Sequence, residues 1–259
     1  RRDACRALVS ELGKSFAYVT VLGSDVKSSA IRVNRNTSDI GEGGAAECGF
    51  VVKMHNGRAF FEYSLDDITG DIPALAKRIA DSVKVEDSLI DKEISVDLPA
   101  DEPMVRSFSR ECDFDNYSDE ELLAKCTEIR DAILSKSDKL LNAMVAVMPF
   151  TVSKLFISKN RELDQFYSWV NVMAVGVYRD GGKMVMAREG TYSNLMSEAL
   201  SEMPSHLDRL VEKCQKLANA KPVVPGVYDV ITDPSISGLS AHEAFGHGVE
   251  MDQFVKDRA

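Results

Sequence analysis

The chain has 259 residues, of which 44% are hydrophobic and 28% charged, so it carries enough apolar sequence for a packed core and is not a disordered tail. Its 41 acidic and 31 basic residues give a formal net charge of −10, and the resulting field repels phosphate backbones and anionic bilayers, so we expect no nucleic acid and no membrane among its partners. The longest apolar runs fall far short of the roughly 20 residues that a membrane-spanning helix needs.

The cysteines point to a reducing compartment. There are five of them, none with CxxC spacing, and an odd number cannot be fully paired within one chain. Reduced thiols are the simplest interpretation. The visible N-terminal sequence has no basic segment leading into an apolar run, so we predict a cytoplasmic protein.

The first 85 residues predict an α+β subdomain. Residues 2–13 have helical spacing, and Asn56-Gly57 between two β-prone runs is a hairpin signal. A second helix over residues 72–83 carries its apolar side chains on one face, with Ser64 and Asp66 or Asp67 as candidate caps. The predicted strands cover residues 17–22, 30–33, 49–54 and 59–63.

Residues 86–117 predict a surface connection, because prolines and acidic residues break up the pattern there. Residues 118–259 form a further predicted α+β region. It opens with a capping box at Ser118 and Glu121, and a helix with a break at Pro204 spans residues 194–220. The predicted strands here are 141–148, 152–157, 165–178, 183–187 and 227–231. The fold class is therefore α+β, with mixed or antiparallel sheets, packed helices and a final helix bearing a candidate metal site.

The candidate metal site is the segment His242-Glu243-Ala244-Phe245-Gly246-His247. Imidazole nitrogens bind Zn²⁺ well, and a carboxylate beside a ligand can accept a proton from the nucleophilic water. The spacing is HExxxH, one residue longer than the common HExxH, so the two histidines would lie about 140° apart on a regular helix. We therefore predict a π-bulge or a helix end between Glu243 and His247, made easier by Gly246.

The motif alone leaves other interpretations open. Two histidines five residues apart also occur by chance, and most histidines bind nothing. Glu250 follows His247 by three residues and could be a ligand, could orient a ligand, or could be an ordinary solvated acid. Gly246 and Gly248 flank His247, which is costly inside a helix and would be explained by close approach of a metal, a substrate or another strand.

The remaining histidines and cysteines are weaker candidates. His206 and Cys214 lie eight residues apart on a predicted helix, where a surface role for the histidine and core packing for the cysteine are favoured over metal ligation. His55 stands beside the Asn56-Gly57 turn and is interpreted as a turn residue.

The stretch from Pro225-Gly226-Val227-Tyr228 through His247-Gly248-Val249-Glu250 closely resembles the metal-binding segment of the TldD/PmbA family, whose motif is HEAxGHGxE. By its HExxxH the chain resembles the TldD-like subunit. The resemblance implies that His242 and His247 bind zinc, that Glu243 is the general base, and that small or unfolded peptides are cleaved in the cavity of a two-subunit assembly. It also implies a homodimer or a heterodimer with a PmbA-like subunit.

The chain departs from the family after the motif. Family members continue into a C-terminal β-rich domain that contributes a cysteine as third zinc ligand, and that ligand has no counterpart in this sequence, which stops at Ala259. We expect this chain to be the N-terminal portion of a longer protein and to be inactive by itself. The alternative hypothesis is a non-catalytic partner or regulator, since members of the family are also described as modulators of DNA gyrase.

Overall fold

A computed structural model describes residues 1–83, 97–256 and 258. The chain divides into two compact units, residues 1–219 and 220–259. Part of the predicted connection, residues 86–96, lies outside the described residues. Among the described helices, none combines the length and the hydropathy needed to cross a membrane.

The first unit contains eight strands and five α-helices in its described residues. The strands are β1 (Tyr18–Val33), β2 (Ser38–Glu42), β3 (Glu47–His55), β4 (Phe60–Leu65), β5 (Met104–Ser109), β6 (Leu140–Ser158), β7 (Arg161–Asp180) and β8 (Lys183–Ser193). The helices are α1 (Arg2–Leu12), α2 (Ile72–Ser82), α3 (Asp119–Leu134), α4 (Met196–Glu202) and α5 (Leu207–Asn219).

All eight strands belong to one sheet. Its main path is β4-β3-β1-β6-β7-β5, with β2 added to β1 and β8 added to β7. Every pairing is antiparallel except that of β5 with β7, which is parallel. The predicted α+β class with a largely antiparallel sheet and packed helices is confirmed.

The helices build two hydrophobic cores against this sheet. One core joins α1 and α2 to β1 and β3, with Leu8, Val21, Met54 and Ile79 fully buried. The other joins α3, α4 and α5 to β1, β6, β7 and β8; its fully buried side chains include Ile31, Ile133, Met196 and Leu210. The sheet thus continues across the predicted subdomain boundary, and the division at residues 85 and 118 stays a prediction.

Several local predictions are confirmed. Ser118 and Glu121 form the capping box at the start of α3. Gly57, with φ +98°, forms the predicted turn between β3 and β4. Gly181 and Gly182 likewise have positive φ, in the turn between β7 and β8. A 3-10 turn at Met203–His206 separates α4 from α5, where Pro204 predicts a break.

Other predictions require correction. Asp71, and not Ser64 or Asp66 or Asp67, caps α2, because its carboxylate accepts a hydrogen bond from the Ala74 N–H at 3.1 Å. The predicted strands 17–22 and 30–33 are parts of β1, and 141–148 and 152–157 are parts of β6. No strand forms over residues 227–231, because no described strand pairs with them.

The second unit is a chain of short helical segments. They are α6 (Pro234–Ala241), a π-helical turn (His242–Gly246), a 3-10 turn (His247–Val249) and α7 (Met251–Val255). Among the residues of this unit whose burial is described, none is buried. The motif therefore lies on an exposed succession of turns.

Candidate metal centre

The motif follows directly on a well-defined helix start. The Asp233 carboxylate accepts a hydrogen bond from the Ile236 N–H at 2.9 Å, and Pro234 occupies the first turn, where its missing N–H costs nothing. Asp233 is thus the N-terminal cap and Pro234 the first residue of α6. The cap fixes where α6 begins, and α6 leads directly into the motif at His242.

A π-helical turn occupies His242–Gly246, the stretch in which the histidine spacing predicts a π-bulge or a helix end. The His247 N–H donates to the His242 carbonyl, five residues back, as a π-turn requires. One extra residue in the turn brings the two histidines together, and their ring centroids lie 4.5 Å apart at an interplanar angle of 69°. A regular α-helix would have held the rings on different faces.

Gly246 adopts ordinary helical geometry, with φ −55° and ψ −49°. A methyl group on its Cα would lie 3.8 Å from both the Ala241 carbonyl oxygen and His242 Nδ1, which is normal van der Waals contact. The described residues therefore leave room for a side chain at Gly246. The π-turn itself does not demand glycine, and its role in the predicted distortion stays a prediction.

His242, Glu243 and His247 form a cluster of potential ligands. One donor atom from each residue lies within 4.8 Å of the others. Two ligands of one tetrahedral zinc ion are about 3.4 Å apart, given bond lengths of about 2.0–2.1 Å. The side chains of Glu243 and His247 are 61% and 50% exposed, so small side-chain rotations can close the difference.

The donor set of this cluster fits a transition metal. Two imidazoles are typical ligands of zinc and related ions, and a carboxylate beside them can act as a further ligand or as a base. The Glu243 carboxylate lies 3.7 Å from His247 Nε2, on the side of the ring that faces the cluster. Among the described residues, His242, Glu243 and His247 form the one group of at least three histidine, cysteine or acidic side chains whose donor atoms lie close enough to hold a metal ion.

Glu250 contacts the opposite side of the second histidine. Its Oε1 lies 2.7 Å from His247 Nδ1, a short hydrogen bond between side chains that are 49% and 50% exposed. Glu250 does not share the cluster in which all donor atoms lie within 4.8 Å. Glu250 thus contacts the Nδ1 edge of the His247 ring, whereas Glu243 lies near the Nε2 edge.

The other histidines are used elsewhere. His206 lies 3.4 Å from Glu189, a buried carboxylate on β8 that also pairs with Arg209 at 2.5 Å. Burial raises the pKa of Glu189, but hydrogen bonds from Arg209 and Lys213 outweigh it and hold the pKa below its ordinary value. The sequence gives no signal for this cluster, because its members come from separate elements.

His55 is buried at the end of β3, and this corrects its interpretation as a simple turn residue. Its Nδ1 accepts a hydrogen bond from the Gly57 N–H at 3.1 Å, and its ring packs on Phe60 at 4.6 Å between centroids. His55 therefore stabilises the hairpin from its buried side.

The buried cysteines are poor metal ligands. Burial raises the pKa of Cys126 to about 12, and it also raises the pKa of Cys5 and Cys214. A raised pKa disfavours the thiolate, which is the form that binds metals. Cys214 instead packs in the core and contacts the Gly176 carbonyl oxygen at 3.6 Å, as favoured from the sequence.

Known proteins share sequence with this chain over most of its length. A protein named metalloprotease from Methanothermobacter thermautotrophicus is 24% identical over 263 residues, covering 98% of this chain and 55% of its own length. The chain thus spans about half the length of this curated relative. No protein-family model matches the chain.

Solved structures share the fold. A protein named as a modulator of DNA gyrase from Bacteroides thetaiotaomicron superposes with a TM-score of 0.70 at 12% identity, over 94% of this chain and 56% of that one. TldE from Thermococcus kodakarensis superposes with a TM-score of 0.58 at 13% identity, over 82% of this chain and 47% of that one. These likenesses show that the chain shares its fold with TldE and with the protein named as a modulator of DNA gyrase, as the resemblance to the TldD/PmbA family implies.

Proposed function

We propose that this chain supplies the zinc-binding half of a TldD-like metallopeptidase that hydrolyses peptide bonds in small or unfolded peptides. The observation that carries the proposal is the convergence of His242, Glu243 and His247 within 4.8 Å through a π-helical turn. The metalloprotease name of the Methanothermobacter relative supports the same class of reaction.

In this proposal His242 and His247 hold the zinc ion. When bound, zinc supplies a Lewis acid that polarises the scissile carbonyl. A catalytic zinc site has three protein ligands and keeps one position open. The described cluster offers two imidazoles beside Glu243, so we propose that the third ligand comes from outside this cluster and that this chain alone is inactive.

Glu243 is the proposed general base. Its carboxylate stands next to the His247 ring, with Oε2 3.7 Å from Nε2, and it is exposed to incoming water and peptide. It would accept a proton from the attacking water and later donate that proton to the leaving amine nitrogen. Proton transfer by a positioned side chain typically contributes about 10²–10⁴-fold to the rate.

The assembly is also part of the proposal. The resemblance supports a homodimer or a heterodimer with a PmbA-like subunit, with peptide substrates enclosed between subunits. A net charge of −10 supports proteins and peptides as partners over nucleic acid.

Substitution of the proposed base tests the reaction. Glu243→Gln keeps the size of the side chain but removes its basicity, so we expect turnover of an unstructured peptide to fall at least about 100-fold. Bound zinc, measured by elemental analysis, should stay near the wild-type amount. Hydrolysis is to be measured in the full-length gene product, alone and with a PmbA-like subunit. Wild-type turnover by this variant would refute the assignment.

Two further measurements complete the test. Asp252→Asn removes an acid from the same segment, where Asp252 pairs with Lys256 at 2.8 Å and not with a histidine, and should leave hydrolysis unchanged. A zinc chelator such as phenanthroline should abolish hydrolysis. Hydrolysis that is insensitive to the chelator would refute zinc dependence. Absence of hydrolysis would favour a non-catalytic regulator; the Bacteroides neighbour is named as a modulator of DNA gyrase.

A further inference from the structure

The hydrogen bond between His247 and Glu250 determines which ring nitrogen is free. An ionised carboxylate only accepts hydrogen bonds, so the proton of the 2.7 Å contact between Glu250 Oε1 and His247 Nδ1 belongs to Nδ1. In the neutral imidazole this leaves the lone pair on Nε2. Nε2 is also the nitrogen that faces Glu243, at 3.7 Å.

The backbone explains why Glu250 reaches this position. His247–Val249 forms a 3-10 turn, in which side chains three residues apart lie directly above one another. Glu250 is the residue three positions after His247, and with φ −64° and ψ 142° it ends the turn in an extended conformation. Its carboxylate therefore lies against the Nδ1 edge of the ring.

We propose that Glu250 is a positioning residue that holds His247 in the Nδ1–H tautomer and so presents Nε2 as the zinc donor. This inference rests on the proposed function, in which His247 is a ligand. Metal-binding histidines in proteins usually donate their other N–H to a carboxylate or a carbonyl, which fixes the tautomer and the ring orientation. Glu250 is not itself a ligand, because its carboxylate lies behind the ring, outside the donor cluster.

The rival explanation is an ordinary surface pair. Exposed pairs contribute little, and both side chains are half exposed. A surface pair would stabilise the segment slightly but would leave the tautomer of His247 and its affinity for zinc unchanged. The two explanations therefore differ in what a substitution does to the ring.

The test uses the whole chain and three variants. Glu250→Ala removes the acceptor, Glu250→Gln keeps an acceptor oxygen without the charge, and Asp252→Asn removes a nearby charge that pairs with Lys256. Long-range ¹H–¹⁵N spectra of the metal-free protein report which nitrogen of His247 carries the proton. Competition with a chromophoric chelator measures the dissociation constant for zinc.

We expect the wild-type protein and Asp252→Asn to show the Nδ1–H form, and Glu250→Ala to shift His247 toward the Nε2–H form. Loss of a group that orients a ligand typically weakens metal binding about 10–100-fold, so we expect that loss in Glu250→Ala and a substantial recovery in Glu250→Gln. The proposal is overturned if wild-type His247 is in the Nε2–H form, if Glu250→Ala binds zinc like the wild type, or if Asp252→Asn is equally weakened.

Neither readout involves peptide hydrolysis. A Glu243→Gln variant with full turnover would therefore refute the proposed function without touching the result for Glu250. Conversely, an unchanged tautomer in Glu250→Ala would refute the positioning role and leave the peptidase proposal standing. The two failures are distinguishable.

Discussion

Gly176 on β7 marks a close contact between the sheet and α5. A methyl group on its Cα would lie 3.3 Å from Cys214 Sγ, 3.4 Å from Leu140 Cδ2 and 3.7 Å from Leu210 Cγ. Cys214 and Leu210 lie on α5, and both are fully buried. Because contacts of 3.3–3.4 Å are tighter than a Cβ normally makes, Gly176→Ala forces the neighbouring side chains to shift by a few tenths of an ångström.

The magnitudes follow from packing. Overfilling a core costs about 1–3 kcal/mol, and restricting the unfolded chain by replacing glycine with alanine returns about 0.4–1 kcal/mol. We expect Gly176→Ala to lose about 1 kcal/mol of unfolding free energy as the net of the two. Leu210→Ala should lose about 3 kcal/mol, because it leaves a cavity in a fully buried site. The added methyl lies beside that cavity, so the double variant should lose about 1 kcal/mol less than the sum.

Urea unfolding followed by far-ultraviolet circular dichroism measures these losses, with equal m-values required for the comparison. Leu207→Ala is the matched control, since Leu207 is buried on the same helix but is not among the three nearest neighbours of the added methyl. Its effect should add to that of Gly176→Ala without coupling. A Gly176→Ala protein as stable as the wild type, or strict additivity with Leu210→Ala, would refute the close packing.

Two capping residues give further predictions. The Ser118 N–H and hydroxyl bond the Glu121 carboxylate and lower its pKa, so its stabilisation is complete above the ordinary value of 4.5 and is lost as the pH falls through the folded-state pKa. The urea midpoints of wild type and Glu121→Gln should therefore differ near pH 6 and converge at acidic pH; a constant difference would contradict the linkage. Asp71→Ala removes the cap of α2 and should cost about 1 kcal/mol, lowering the melting temperature by about 2–4 °C. An unchanged melting temperature would contradict that cap.

Features that depend on a few neighbouring residues could be predicted from the sequence. The capping box at Ser118 and Glu121 closes over four residues, and the Asn56-Gly57 turn needs only two residues that tolerate positive φ. The break between α4 and α5 follows from Pro204, which cannot donate a helical hydrogen bond. In each case the energetic cause lies within one or two turns of chain.

The extents of the strands could not be predicted, because they depend on distant partners. Polar residues interrupt the apolar pattern of β1, yet the strand continues because β3 and β6 pair with it on both sides. Pro149 interrupts β6 in the same way. It lacks an N–H, and the ladder to β1 has a gap between Val147 and Phe150, while the ladder to β7 runs through it unbroken. The β-propensity of the sequence alone could not show that β6 keeps its pairing with β7 at Pro149 and loses that with β1.

The short strand β5 shows the same limit more strongly. Residues 104–109 lie in the predicted surface connection, where the local pattern is weak, and they form a strand only because β7 offers a free edge for parallel pairing. Residues 227–231 present the opposite case. They have strong β-propensity but pair with no strand in the described part of the chain, and Val227 and Ile231 are fully exposed. A strand is a property of two segments, and one sequence window contains only one of them.

The candidate metal centre could be located from the sequence because its chemistry is contained in nine consecutive residues, His242 to Glu250. The spacing of the histidines conflicts with a regular helix, and that conflict is itself the signal for a distorted turn. What the sequence leaves open is the role of Glu250, and the backbone places its carboxylate 2.7 Å from His247 Nδ1. A π-turn aligns His247 with the residue five before it, and the 3-10 turn that follows aligns it with the residue three after it. Two different departures from the α-helix therefore flank His247. The π-turn brings His242, the proposed co-ligand, next to the ring, and the 3-10 turn places the Glu250 carboxylate at its Nδ1 edge.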